Sequence, residues 1–329
     1  MKKIRWGILG TGSIATQFSS ALKALEDCSI AAVASRSAER AEKFAKEFQI
    51  EKAYAGYEAL IKDPDIDVVY IGLHHTEHKE MAKLCLEHKK AVLCEKPFTL
   101  NSKDTKQLID IAKENKVFLM EAMWTKFLPA TKRIKKWIDE GRIGKVLHIR
   151  ASFGFCFEFD YNHRLFNPDL GGGALLDLGV YPITYATYLL NRLPDKIYSS
   201  AIMGKSGVDE QNVILLHYND GTLADLSTAL CAQLGSDALI FGEKGYIKVE
   251  KFFKADSAFL YDNNLQCVEA FKEPYIVNGY EYEAAEVNRC LREGLLESPI
   301  NPLQSTLDVM NIMDEIRMQW GLVYPQELK

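Results

Sequence analysis

The sequence predicts an α/β chain: a doubly wound parallel sheet, followed by an α+β domain built on a large, mostly antiparallel open sheet. Three observations predict it. Short apolar strands alternate with helical patterns over residues 1–122, the signature of βαβ units. A glycine-rich turn stands directly between the first strand and the first helix. From residue 145 onward, strands with apolar/polar alternation follow one another through hairpin-type turns. A chain of 329 residues exceeds what one core usually serves, so two domains are expected, 1–122 and 123–329.

Composition narrows the partners. The net charge of -5 excludes a nucleic-acid or anionic-membrane surface, which needs clustered basic residues. Seven cysteines (Cys28, Cys85, Cys94, Cys156, Cys231, Cys267, Cys290) form no CxxC pair, as expected of free thiols in a reducing compartment. Met1–Leu9 has a signal-peptide tint, but Arg5 interrupts the apolar run and glycines follow, so a first strand is expected. No run reaches the roughly 18 apolar residues of a membrane helix. A cytoplasmic protein is expected.

Taken in order, Ile4–Leu9 is a buried strand and Gly10-Thr11-Gly12-Ser13-Ile14-Ala15 opens a helix through Phe18, Leu22 and Leu25. This is the G-x-G-x-x-A turn of a Rossmann sheet in its required strand–turn–helix context. Gly10 permits the tight turn, Gly12 clears space for a pyrophosphate, and the helix N-terminus offers N–H groups to it. The second strand, Ile30–Ala34, ends in Ser35-Arg36-Ser37 and leads to a helix holding Arg40. An NAD site carries an acid here for the ribose hydroxyls. A guanidinium suits a 2′-phosphate instead, so the cofactor is NADP (NADPH).

The strand Asp67–Gly72 runs into Leu73-His74-His75-Thr76-Glu77-His78. A loop at a strand's carboxyl end is where an open α/β sheet binds ligand, so Leu73, His74 and His78 are expected at the cofactor. No thiolate or carboxylate cluster completes a metal shell. After a helix from Lys79 to His88, the strand Ala91–Cys94 leads into Glu95-Lys96-Pro97, which sets a lysine at the same edge. Asn101 caps the next helix, and Val117–Glu121 is a further strand ending at Ala122-Met123-Trp124.

In the second half, Pro129 opens a helix closed by Gly141, and Lys145–Phe155 alternates as a one-sided strand. The segment 156–170, with His163 and Arg164, is either a substrate rim or an ordinary surface loop. Gly171-Gly172-Gly173 then leads into an apolar helix on which Asp177 and Tyr181 stand four apart, one turn above each other. A buried carboxylate and phenol are costly unless paired or used, so the helix is either a core helix bonded to a loop or part of a site. Strands follow over Ile197–Met203, Asn212–Tyr218, Thr222–Leu230, Ala238–Phe241 and Tyr246–Val249. A sheet with helices on one face exposes the other, so a homodimer through this C-terminal sheet is expected. Helices at Glu281–Glu293 and Leu303–Gly321 end the chain.

Read together, the glycine turn, Glu95-Lys96-Pro97 and Gly172-Gly173-Ala174-Leu175-Leu176-Asp177-Leu178-Gly179-Val180-Tyr181 resemble the glucose–fructose oxidoreductase / inositol dehydrogenase (Gfo/Idh/MocA) family. Met120–Phe127 and Arg150-Ala151-Ser152-Phe153-Gly154 are similar to its dimeric dihydrodiol dehydrogenase and NADP-dependent D-xylose 1-dehydrogenase branch. Many members carry histidine where this chain has Tyr181; that branch carries tyrosine. The resemblance implies Lys96, Asp177 and Tyr181 in the active site, Glu95 and Lys96 beside the cofactor, and Trp124, Arg150 and Phe153 near substrate. The function expected is NADP-dependent hydride transfer at a hydroxyl-bearing carbon of a sugar, polyol or diol, with Tyr181 as acid/base. A free tyrosine titrates near ~10 and needs help at neutral pH, which the Lys96 cation would supply. The alternative is a catalytically silent NADP-binding sensor of the same fold.

Overall fold

A computed structural model describes residues 3–328; Met1, Lys2 and Lys329 lie outside the described residues. The chain forms two units, Met1–Trp124 with Tyr275–Leu307, and Thr125–Pro274 with Asp308–Lys329. The expected assignment of everything after 123 to a second domain is thereby corrected, because the chain returns to the first unit over Tyr275–Leu307. Side chains hold that return in place: Trp6 Nε1 donates to Asn288 Oδ1 at 3.0 Å, and Asn288 Nδ2 donates to Asp27 at 3.0 Å. Both partners of each bond are far apart in sequence, so no local pattern announces them.

The first unit is a parallel sheet of β1 (Ile4–Leu9), β2 (Cys28–Ser35), β3 (Lys52–Ala55), β4 (Val68–Ile71), β5 (Ala91–Glu95) and β6 (Leu119–Ala122), in the order β3-β2-β1-β4-β5-β6. It is wound by α1 (Ser13–Leu22), α2 (Ala38–Phe48), α3 (Tyr57–Ile61), α4 (His75–Glu87) and α5 (Ser102–Asn115). Strand order reverses between β1 and β4, the switch point where such sheets take ligands. The strands are continuous apolar runs because both faces are covered: Leu9, Ala34, Val69, Ile71, Val92 and Cys94 share one core with Leu86 and Leu108 of the helices, and the intervening Ile8, Val33, Tyr70 and Leu93 are fully buried as well. Helix α4 starts at His75 rather than Lys79. His74 is its extended N-cap and Glu77 sits in its first turn, where a carboxylate complements the helix dipole.

The second unit carries α6 (Pro129–Asp139), β7 (Val146–Cys156) and α7 (Val180–Leu190), then β8 (Lys196–Met203), β9 (Asp209–His217), β10 (Leu223–Ala229), β11 (Cys231–Gly235), β12 (Ala238–Gly242), β13 (Gly245–Val249), β14 (Ser257–Asp262) and β15 (Cys267–Lys272). The sheet order is β15-β14-β13-β12-β7-β10-β9-β8, with β11 on β7; β7 and β10 run parallel and the other pairs antiparallel. Helix α8 (Tyr280–Glu293) lies in the first unit, and α9 (Leu303–Trp320) passes from the first unit's segment into the second's.

The apolar stretch after Gly173 is not a plain α-helix. Leu175–Gly179 forms a π-helical turn that continues into α7. The expected uniform helix is corrected accordingly: Asp177 lies in the π-helical turn and Tyr181 in the first turn of α7. Such π turns cluster at functional sites.

Candidate active site

In the first unit, the turn after β1 is locked against β4. Gly10 has φ +101°, and a Cβ there would lie 2.5 Å from the Gly72 carbonyl oxygen, so only glycine fits. Gly12 differs: a Cβ on it would meet no protein atom within 4 Å. Packing therefore does not demand this glycine, whereas a phosphate approaching the α1 N-terminus does. Ala15 is fully buried, as the helix–strand contact requires. Thr11, Ser13 and Ile14 flank the same N-terminus. This part of the chain fits a dinucleotide.

At the end of β2, Ser35 is buried, and Ser37 caps α2 by accepting from Arg40 N at 3.3 Å. The Arg36 side chain is 69% exposed, with NH1 3.6 Å from Glu77 Oε1. Arg40 is exposed on the first turn of α2. No acid ends β2; the nearest carboxylate recorded for Arg36 comes from α4 instead.

His78 departs from expectation. It is fully buried, with Nδ1 2.9 Å from Pro97 O and Nε2 3.2 Å from Leu73 O. Burial pushes its pKa down to about 4, so the neutral ring donates from one nitrogen. His78 is therefore a scaffold residue tying the Leu73 turn to the Lys96-Pro97 turn, which is a cis peptide. Leu73 and His74 keep partial exposure at that edge.

Glu95 is buried at the end of β5. Tyr70 Oη donates to its Oε1 at 2.6 Å and Lys96 N to its Oε2 at 3.3 Å. Burial raises its pKa to about 6, opposed by the Tyr70 bond and the Lys96 charge. Sequence reasoning missed its neighbour Glu283, whose fully buried carboxyl has no hydrogen-bond partner among the described residues. Burial, then the like charges of Glu95 and Glu121, holds Glu283 well above the carboxylate range. Its signal was an acid among Tyr280, Ala284 and Val287, the buried stripe of α8. Trp124 stacks on Tyr280 of that helix at 4.3 Å.

In the second unit, Asp177 is buried and paired with Arg164, at 2.8 Å from NH1 and 3.4 Å from NH2. The 156–170 segment thus supplies the partner of a candidate site residue. Tyr181 is 8% exposed and meets Phe153 edge-on at 5.4 Å and Phe253 at 6.0 Å. The structure brings Asp177, Tyr181 and Phe153 together around this turn, and adds Arg164 and Phe253. Lys96 belongs to the first unit and Tyr181 to the second.

Arg150 does not join them. It stands opposite Asp225, which opposes Leu215, which opposes Tyr198, a row on the sheet face where Tyr198 is 53% exposed. Phe153, three residues on, points the other way, because strand side chains alternate. The expectation that Arg150 lies with Phe153 near substrate is corrected by that register.

No group of three or more metal-ligating side chains occurs among the described residues, and none of their helices is long and apolar enough to cross a membrane.

A helix N-terminus cleared for phosphates at the switch point of a parallel sheet marks a nicotinamide-dinucleotide oxidoreductase. The chain belongs to the Gfo/Idh/MocA family: residues 4–123 match its oxidoreductase, NAD-binding Rossmann domain and residues 131–248 its C-terminal domain. It is 38% identical over 333 residues to trans-1,2-dihydrobenzene-1,2-diol dehydrogenase of Xenopus laevis, covering 98% of this chain and 99% of the relative. To the protein of the same name from Mus musculus it is 35% identical over 337 residues, with the same coverage. Among solved structures it is similar to a 3-ketoreductase from Actinomadura kijaniata in complex with NADP and TDP-benzene, with TM-score 0.85, 26% identity, and coverage of 96% of this chain and 98% of that one.

Proposed function

We propose that the protein is an NADP-dependent oxidoreductase acting on a hydroxyl-bearing carbon of a sugar, polyol or small diol. The observation that carries this reading is Tyr181: a phenol at 8% exposure, set edge-on to Phe153. A proton-transfer group is useful in such a site, since water is excluded and its bonds are strengthened. Relatives named as dihydrodiol dehydrogenases and a ketoreductase crystallised with NADP support the reaction class. When bound, the nicotinamide supplies the hydride acceptor or donor. Gly10, Thr11, Gly12, Ser13 and Ile14 hold the pyrophosphate, Ser35, Arg36, Ser37 and Arg40 the 2′-phosphate end, and Leu73, His74, Glu95 and Lys96 the inner edge.

Tyr181 Oη takes the hydroxyl proton as hydride leaves the same carbon, and returns it in the reducing direction. Asp177, fixed by Arg164, orients a substrate hydroxyl, and Phe153 lines the substrate's path beside Tyr181. The test is NADPH fluorescence during incubation with a panel of aldoses, polyols and diols. Turnover with at least one class is expected. NADPH bound tightly with no turnover across the panel contradicts the reading.

The same reading includes a cytoplasmic homodimer. Free cysteines throughout support a reducing compartment. Exposed Tyr198, Ile202 and Val213 on one face of β8 and β9 support a second copy covering the sheet.

A further inference from the structure

Asp209 opens β9 and is fully buried, yet no motif in the sequence marks it. Its Oδ2 accepts from Leu175 N at 2.8 Å and from Asn212 Nδ2 at 2.8 Å. Asn212 is itself held by Thr228 Oγ1, which donates to its Oδ1 at 2.9 Å. The other carboxyl oxygen, Oδ1, has no hydrogen-bond partner among the described residues. It lies against Gly173: a Cβ there would sit 2.4 Å from Oδ1, and the residue has φ +118°. Tyr324 Oη donates to Gly172 O at 2.6 Å, pinning the same glycines from the C-terminal segment.

Leu175 is the first residue of the π-helical turn. Its N–H is one of the donors that a helix start leaves without an intrahelical acceptor. A carboxylate on that donor is a charge-assisted bond aligned with the helix dipole. Asp177 lies two residues on and Tyr181 one turn further.

We propose that Asp209 is a positioning residue for the reaction: through the Leu175 N–H, its carboxylate fixes the helical turn that carries Asp177 and leads into Tyr181. The proposal rests on the acid/base role given to Tyr181. Asp209 touches no substrate in this scheme; it acts by holding the phenol and the Asp177–Arg164 pair at one angle. Burial explains why its charge state is sensitive. It raises the Asp209 pKa to about 7, opposed by the bonds from Asn212 and Leu175 and by the field of Arg317. The titratable and charged groups facing Asp209 are Arg317 on α9, itself bound to Asp314 and Glu327, and the Tyr324 phenol, which burial holds far above its ordinary range. From β9 and β10 it is faced by neutral groups, Asn212 and Thr228. Below neutrality the protonated acid still accepts from Leu175, but without charge assistance.

The test compares wild type, Asp209→Asn, Asp209→Leu and Asn212→Ala in kcat against pH, NADP dissociation constants, and hydrogen exchange over residues 173–178. Wild-type kcat should fall on the acid side with a midpoint near Asp209's value of about 7. Asp209→Asn should lack that limb and run at every pH at the wild-type acid-end rate, about tenfold below the plateau. Asp209→Leu, which leaves both donors unmatched, should lose about a hundredfold in kcat. Asn212→Ala removes a bond to the ionised acid, so the limb should move to higher pH. NADP affinity should stay within about twofold in all, since its residues lie in the other unit, and exchange over 173–178 should speed up in both Asp209 variants.

Wild-type rates and an unchanged limb in Asp209→Asn overturn the proposal. So does a loss of NADP affinity that parallels the loss of kcat. If Asp209→Leu fails to fold, Asp209→Asn and Asn212→Ala decide. Exchange is read without turnover, so faster exchange alongside a fully active Tyr181→Phe would reject the tyrosine's role while leaving the anchor itself intact.

Discussion

Arg164 sets two guanidinium nitrogens 2.8 and 3.4 Å from the two carboxylate oxygens of Asp177, joining the segment before the glycines to the turn after them. The Asp177 side chain is 7% exposed and that of Arg164 43%, so the acid is buried while its partner stays in reach of solvent. Removing the cation takes the guanidinium away from a buried carboxylate, which is the costly half of such a pair. Arg164→Leu should therefore lower kcat/KM by about tenfold, a discount for the arginine's exposure. Steady-state kinetics check it, and Arg164→Lys should recover only part, having lost the two-pronged geometry.

In the proposed reading, cofactor choice rests on Arg36. Arg36→Ala should weaken NADP by about ten- to a hundredfold, the worth of lost charged hydrogen bonds, and leave NAD within about twofold. Glu77 stands 3.6 Å from the same guanidinium and competes for it, so Glu77→Gln should tighten NADP by about two- to threefold. Dissociation constants for both cofactors decide this; equal losses for NAD and NADP in Arg36→Ala contradict it.

Stability should also carry the mark of Asp209. Its carboxyl titrates at about 7 in the folded chain, against ~3.9 unfolded. Between these values the folded state binds more protons than the unfolded state. The contribution to stability is thus full below about pH 4 and is lost as pH rises through the folded value. Asp209→Asn has no such titration, so the mutant's Tm minus the wild type's should rise from about pH 4 to about pH 7 and level off above that. A flat difference in thermal melts contradicts the shift.

The open sheet face makes a separate prediction. Ile202 is 65% exposed on β8, so Ile202→Glu places a charge in any sheet-to-sheet interface without disturbing the core. Light scattering should show a dimer for wild type and a monomer for the variant. A monomeric wild type rejects the interface.

What the sequence made legible was what local chemistry dictates. The strand–turn–helix around Gly10 and Gly12 is written in adjacent residues, and the strands of both sheets in short apolar periods. What failed depended on contacts distant in sequence. His78 reads as a ligand because its carbonyl partner Pro97 is 19 positions away. Arg150 reads as a site residue because its face is set by strand register across β10 and β9. Asp209 is 34 positions from the N–H it holds, and Glu283 is buried only because α8 returns to the first sheet. The π turn is a one-residue matter of backbone phase that apolar spacing does not resolve.

The central claim is that the Tyr181 phenol moves the proton. Tyr181→Phe keeps the ring and its edge-on contact with Phe153 and removes only the hydroxyl. The decisive measurement is single-turnover hydride transfer in this variant, beside its NADP dissociation constant. A drop of about a hundred- to ten-thousandfold in the hydride step, with NADP affinity unchanged, is the predicted result. Transfer within about threefold of wild type would contradict it.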